Sequence, residues 1–467
     1  MNMPTDATAL AALMGSVPVV LPGAARYDEA TAPDNRAVRQ SPAAVVLPRS
    51  EADVAQAVTV ARRLETSVVV QASGHGAARP LGAAELLIDM SGLAAVRIDA
   101  ADAVARVGAG AVRGEVQGAA EAHGLLGLAG TSPSVGVAGY TFGGGVGWFT
   151  RPYGLAAGKL RTVRYVDGTG RIRRASDDAP DELDRAAIHA FRGGAPVGIA
   201  TELEFELIRP GELIAGHLLW PIDRAEAVIA AWAAVLPALS EAITSTIAHL
   251  QLPPEGPFPP ELLGAPVVHL SFVSDGDRAG AGALRAAVCA AGEPVVDSTG
   301  PADAARLAQI HLDPPGPVAA VGGGRWLTAG AADRAVELLG AARVGSPDGA
   351  LMAELRHVAS SAPARPGVLT TAPGPFLLHV VGSGDPERRA ATAAAVGAAL
   401  AAAADLDAGV DAISFREADP DVAPYAPSAS LAPSALPLPS LALGDLARRL
   451  DPDGLFRFER VAPVGTD

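Results

Sequence analysis

Hydrophobic and polar positions change their period several times along this chain, and each change marks an element. Val45-Val46-Leu47-Pro48 is a short apolar run that predicts a strand. Ser50 follows as an N-cap with Asp53 three residues on, and Val54, Ala57, Val58, Ala61 and Leu64 fall on one helical face. Val68-Val69-Val70-Gln71 reads as the next strand, with residues 86–89, 96–99 and 104–107 as further short ones. A helix over residues 112–123 ends at Gly124, a residue suited to a left-handed cap. Asp167-Gly168 between two strand-like runs is a hairpin signal, and Arg171-Ile172-Arg173-Arg174 reads as its solvated strand end. Residues 201–207 alternate: Leu203, Phe205 and Leu207 face one way, while Glu202, Glu204 and Glu206 face the other. That pattern predicts an antiparallel strand with one wet face.

Near Arg209-Pro210 the pattern changes. Alanine-rich helices are expected at 223–239, 278–291, 329–342 and 390–404, alternating with strands such as 267–273 and 376–381. The prolines between Pro420 and Pro439 exclude a helix or a central strand there. A last helix, 441–450, precedes Asp451-Pro452-Asp453-Gly454 and a strand-like Leu455-Phe456-Arg457-Phe458. No internal repeat is evident, and the expected class is α+β.

Composition narrows the field. At 467 residues, 49% apolar and 19% charged, the chain can bury a sizeable core in two or three domains. A net charge of −15 without any long basic stretch argues against a nucleic-acid partner. Cys289 is the only cysteine and reads as a buried helix position, so an internal disulfide and a multi-cysteine metal site are both excluded, and no metal is expected. The N-terminus lacks a basic region ahead of its apolar run, and no apolar run is long enough to span a bilayer. No membrane association is expected, and the expected compartment is the cytoplasm.

Two glycine-rich stretches carry the candidate chemistry: Gln71-Ala72-Ser73-Gly74-His75-Gly76, directly after a strand, and residues 130–147. Each offers bare backbone amides where side chains would block close approach, which suits a pyrophosphate. A dinucleotide fingerprint at Gly108-Ala109-Gly110 lacks its third glycine and the acidic residue on the next strand. The two stretches together point instead to another large, phosphate-bearing redox cofactor.

The order of pieces resembles the FAD-linked oxidases of the vanillyl-alcohol oxidase superfamily, in the berberine bridge enzyme-like branch. The resemblance runs from Tyr27-Asp28 and Ser41-Pro42 through both glycine loops, Gly147-Trp148 and Tyr153-Gly154-Leu155. It continues through Phe191-Arg192-Gly193-Gly194, His311-Leu312-Asp313-Pro314 and Glu354-Leu355-Arg356-His357 to the terminal Asp451-Pro452-Asp453-Gly454. It implies a PCMH-type FAD-binding domain of two subdomains (1–210), a substrate domain on an antiparallel sheet with helices (211–425), and a segment returning to the FAD domain (426–467). The implied FAD contacts are Gln71, Ala72, Ser73, Gly74, His75 and Gly76 in the first loop. The second loop would contribute Gly130, Thr131, Ser132, Val135, Gly136, Gly139, Tyr140, Gly143, Gly144, Gly145 and Gly147. Gly198 and Ile199 would complete the set. His75 would carry the flavin covalently through its 8α-methyl carbon, a role that a nucleophilic imidazole can fill.

Departures from the family pattern sharpen the expectation. Ser132 stands where many relatives bond the flavin with a cysteine, so a single link through His75 is expected. Val135 leaves room for dioxygen, as in the family's oxidases. Ala412 and Ser414 occupy the positions of the usual Tyr-x-Asn pair, and alanine cannot take a proton. The base is then sought among Tyr425, Tyr153 and His357, with Tyr140 and His311 as further candidates. The implied activity is hydride transfer from a small organic substrate, such as a specialised metabolite, to flavin N5 with reoxidation by O2. The alternative is a redox-neutral isomerase or cyclase that has lost the usual base. A monomer or homodimer is expected.

Overall fold

Residues 7–194, 196–418 and 442–458 are described by the computed structural model. Strands Ala44–Val46, Ser67–Gln71 and Glu85–Asp89 are rich in residues buried on both faces, among them Val45, Val46, Val68, Leu86, Leu87 and Ile88. Such strands suit a parallel sheet, and they pair in parallel here. Parallel neighbours need a crossover, which helix Glu51–Arg63 supplies. Its start is a capping box: the Asp53 N–H donates to Ser50 Oγ, and the Ser50 N–H donates to the Asp53 carboxylate. Val54, Ala57, Val58 and Ala61 form its buried face. Val19–Val20 adds an antiparallel edge.

A second sheet is antiparallel throughout, in the order Val96–Asp99, Val104–Gly108, Ile199–Glu206, Leu160–Val166, Ile172–Ser176. Leu203 and Phe205 are buried, while Glu202, Glu204 and Glu206 lie half-buried on the opposite face. The hairpin turn closes on Asp167, whose Oδ1 accepts from the N–H groups of Thr169 and Arg171. Arg173 departs from the expected solvated strand end. It turns inward to Asp181 and Asp184 and is buried, while Ile172 faces out.

Both sheets share one core, which Leu446 and Leu450 of helix Leu443–Leu450 and then Leu455 and Phe456 help to fill. The Val68 N–H donates to the Leu455 carbonyl at 2.9 Å, so this returning segment covers the edge strand that feeds the first glycine loop.

The third sheet has nine antiparallel strands. Its central order is Leu213–Pro221, Pro266–Asp275, Ile243–Gln251, Met352–His357, Phe376–Ser383, Ala320–Leu327. Helices Ala225–Val235, Arg278–Ala290, Ala335–Gly340 and Arg389–Ala402 pack on one face over Val268, Leu270, Phe272, Leu355 and Leu378. Strand alternation sends His269, Glu354, Arg356 and His379 to the other face. The expected helix at 329–342 is broken into Ala329–Ala331 and Ala335–Gly340. Arg334 leaves helical geometry at the break, and its guanidinium reaches Asp405 and the Ala402 carbonyl. Cys289 lies on helix Arg278–Ala290 but is only partly buried. Among the described residues no helix is long and apolar enough to cross a membrane.

Arg192 ties the second sheet to the segment below the third. It is 0% exposed, with Nε on the Leu160 carbonyl at 2.9 Å, Nη1 on the Pro366 carbonyl at 3.0 Å and both Nη atoms on Asp177 at 2.7 Å. Replacing Arg192 by Met leaves two carbonyls without their donor and Asp177 with only the longer Arg365 contact at 3.6 Å. The expected cost is about 3 kcal/mol, read as a lower urea midpoint at unchanged slope. A loss below about 1 kcal/mol would show that this tie does not hold the two parts together.

Candidate active site

A cavity of about 2190 Å³ lies between the glycine loops and the polar face of the nine-stranded sheet. Residues 71–76, Gly130, Thr131, Ser132, Val135, Gly136, Gly139, Tyr140, Gly143, Gly198 and Ile199 all line it. Gly144, Gly145 and Gly147, also expected among the contacts, do not line it. Gly144 and Gly145 have φ of +97° and +78°, and a Cβ on Gly147 would fall 1.8 Å from the Ala129 carbonyl. Glycine is required there for backbone conformation and close approach within the protein.

Local chemistry shapes the two loops. Gly74, at φ +73°, turns the chain after Gln71, and His75 follows exposed to the cavity. The Asp34 N–H donates to the Ser73 carbonyl. The Asp34 carboxyl lies close enough to feel the His75 charge; burial raises its pKa, and His75 and Arg36 oppose that rise. The second loop is pinned from behind, where the N–H groups of Arg113 and Gly114 donate to the carbonyls of Val135 and Pro133. A Cβ added to Gly139 would meet no atom within 4 Å, so bare backbone faces open space there. Gln71 Oε1 and Tyr140 Oη are buried and lack a partner among the described residues. This cradle of bare backbone with orphaned polar atoms fits a large polar cofactor such as FAD.

The opposite wall is a network of charges. His311 donates through Nδ1 to Asp313 at 2.8 Å and through Nε2 to Glu354 at 2.9 Å. Arg356 pairs with Glu354 and lies 5.2 Å over the Phe415 ring. His379 lies 3.5 Å from Glu354 and 3.3 Å from Glu417. Burial opposes the charge on His311, but Asp313 and Glu354 outweigh it and raise its pKa to about 9. His379 is raised to about 8 against its own burial by Glu417 and Glu354. Burial would lift the Glu354 carboxyl, yet Arg356 and His311 hold it well below the usual carboxylate range. Asp313 is likewise lowered to about 2 against burial, mainly by His311. His217 and His269 complete the wall as neutral rings, lowered by burial to about 4 and about 3.

The expected bases are not gathered here. Tyr425 lies outside the described residues. Tyr153 does not line the cavity; its hydroxyl donates to Asp275 at 2.6 Å, and burial together with that carboxylate pushes the phenol up. His357 sits on the helix-covered face, its ring 5.2 Å from Phe376 and lowered to about 3 by burial and Arg151. Tyr140 lines the cavity, but burial pushes its phenol up to about 12. Ala412 packs in an apolar cluster, and the Ser414 hydroxyl donates to the Gly143 carbonyl at 2.8 Å. Sequence reasoning passed over Asp313, Glu354, Arg356, His379 and Glu417. The signal for two of them was present: on a strand, Glu354 and Arg356 share a face and His357 takes the other.

The network sets a pH dependence. The two histidines have folded-state pKa values above the ordinary 6.5, so their stabilisation is fully present below that pH and lost as pH rises through about 8 and 9. Glu354 and Asp313 act in the opposite sense, stabilising above the usual carboxylate range and losing this effect in acid. The urea midpoint should fall across the histidine window, and Glu354→Gln should flatten that fall. An equal fall in the variant would place the titration elsewhere.

Residues 42–176 match the family model described as an FAD binding domain. The chain is 31% identical over 217 residues to (R)-6-hydroxynicotine oxidase of Paenarthrobacter nicotinovorans, covering 45% of each protein. It is 32% identical over 185 residues to berberine bridge enzyme-like 23 of Arabidopsis thaliana, covering 38% of this chain and 34% of that protein. These sequence matches span less than half of either relative. The fold extends further. Physcomitrella patens BBE-like 1 superimposes with a TM-score of 0.78 at 19% identity, over 98% of this chain and 99% of that one. For 6-hydroxy-D-nicotine oxidase of Arthrobacter nicotinovorans the TM-score is 0.75 at 21% identity, over 95% and 96%. Residues 42–176 thus carry an FAD binding domain, and the chain is similar to FAD-linked oxidoreductases that include 6-hydroxynicotine oxidase and the berberine bridge enzyme-like proteins.

Proposed function

We propose that this protein is an FAD-dependent oxidase acting on a small organic substrate. One observation carries the reading: both glycine loops and His75 line a single large cavity whose far wall presents Asp313, His311, Arg356 and His379. Residues 1–210 would hold the cofactor, 211–425 would seat the substrate, and 426–467 would return to the cofactor half. Bound FAD would supply a two-electron acceptor for a hydride from a substrate carbon and pass the electrons to O2, releasing hydrogen peroxide.

His75 is the nucleophile for a single covalent link to the flavin, with Asp34 beside it to orient the ring. Ser132 offers only a hydroxyl, hydrogen-bonded to Ser134 at 3.1 Å, and cannot form a thioether. Val135 lines the cavity and is small enough to leave room for dioxygen beside the flavin. On the far wall Asp313 Oδ2 is buried and lines the cavity, outside hydrogen-bond distance of other described side chains, with Thr131 near enough to help lower the carboxyl. It is the acceptor assigned here to the hydroxyl or amine N–H of the substrate, while Oδ1 stays fixed by His311. In place of the usual tyrosine, this wall offers the substrate a hydrogen-bond acceptor beside two protonated imidazoles.

Two measurements test the reading. Acid-precipitated protein should keep its yellow colour in the pellet, with one flavopeptide containing His75, and His75→Ala should release the flavin to the supernatant. A flavopeptide at Ser132, or free flavin from the parent protein, would refute the single link. Anaerobic mixing with an alcohol and amine panel should bleach the flavin, and Asp313→Asn should slow that bleaching at limiting substrate by about tenfold or more through weaker substrate binding. An unchanged rate would remove Asp313 from substrate binding, and no bleaching by any member would count against the oxidase.

A further inference from the structure

Behind the second glycine loop lies a buried cation with no counter-ion. Arg113 opens helix Arg113–Glu121, and its side chain is 2% exposed. Nη2 donates to Thr141 Oγ1 at 2.9 Å, while Nε has no partner. Among the described residues no carboxylate lies within ion-pairing distance. Burial lowers its pKa only to about 10, so the guanidinium stays charged at neutral pH. Burying a lone ion costs several kcal/mol unless an opposite charge offsets it.

The guanidinium carbon lies 4.0 Å from the Tyr140 ring centroid, and Tyr140 itself lines the main cavity, which Arg113 does not. The ring face offsets part of the charge, since such contacts contribute roughly 1–2 kcal/mol when desolvated. The rest is unmatched. Tyr140 also feels the charge of Arg356 on the far wall, so it lies within electrostatic reach of the polar face of the nine-stranded sheet.

We propose that Arg113 is the built-in countercharge for the reduced isoalloxazine, acting through the Tyr140 ring. The proposal rests on the FAD reading above. A hydride carries two electrons and one proton from the substrate carbon to a neutral ring, so the ring gains one net negative charge. An oxidised, neutral ring leaves Arg113 uncompensated, and a reduced one completes the pair. The arrangement therefore favours reduction and raises the cofactor's midpoint potential. Arg113 touches neither substrate nor reacting atoms on this account; it sets the field in which they react.

The experiment uses the flavin-loaded protein without substrate, photoreduced in the presence of a reference dye. Arg113→Met removes the charge at similar volume, and a buried charge replaced this way usually leaves folding intact. The reduced form should lose at least tenfold in stability relative to the oxidised form, a fall of about 30 mV for a two-electron couple. Arg113→Lys should recover most of that loss. If Arg113→Met does not fold, Arg113→Gln takes its place in the same titration. A yellow, folded neutral variant with the parental midpoint would overturn the countercharge, as would a Lys variant no better than the neutral one. Parent protein that is colourless and stays so with added FAD would instead sink the FAD reading itself.

Discussion

One buried carboxylate organises the polar wall of the cavity. Glu354 faces His311, Arg356 and His379, and each of these reaches it from a different segment or strand. A carboxylate in this position would be neutral if it were alone, because burial penalises its charge. Three cationic partners reverse that outcome, and the carboxylate in turn keeps both imidazoles protonated. Removing it would leave like charges facing one another in a medium that screens them poorly. The wall is therefore a cooperative unit, and its parts are fixed before any ligand arrives.

The cofactor wall works by the opposite principle. It is made largely of what is missing, namely side chains at Gly130, Gly136, Gly139 and Gly143. Its glycines divide into two kinds that look alike in sequence. Some expose backbone to the cavity. Others, such as Gly145 and Gly147, let the chain pass within contact distance of Tyr140 and Ala129. Tyr140 links the two kinds, since it presses on the packing glycines, lines the cavity and stacks on Arg113.

The substitution of the usual tyrosine by Ala412 has a steric context. Ala412 sits in a small apolar cluster with Phe415, Trp326 and Leu377, against strand residue Gly324. The nearby charged groups come from the sheet, where Arg356 lies over Phe415 and His379 packs edge-on to it at 5.0 Å. Ionisable groups at this end of the cavity therefore come from strands of the nine-stranded sheet together with Glu417.

The sequence by itself determined the local elements and the cofactor side. Ser50 with Asp53, the parallel-type apolar runs, the Asp167 turn and the alternation after Thr201 are short-range signals, and each formed as its chemistry dictates. The glycine loops were legible for the same reason, because backbone exposure is encoded in consecutive residues. Tertiary structure alone decided the rest. Arg173 turned inward because Asp181 and Asp184 sit on the next helix turn and its cap, where no periodicity reveals them. Glu354 and His379 meet only when antiparallel register places them side by side, and the segments carrying His311 with Asp313 and Glu417 close on that pair. Register is set by many hydrophobic contacts at once, so the charges it aligns cannot be read from any one segment.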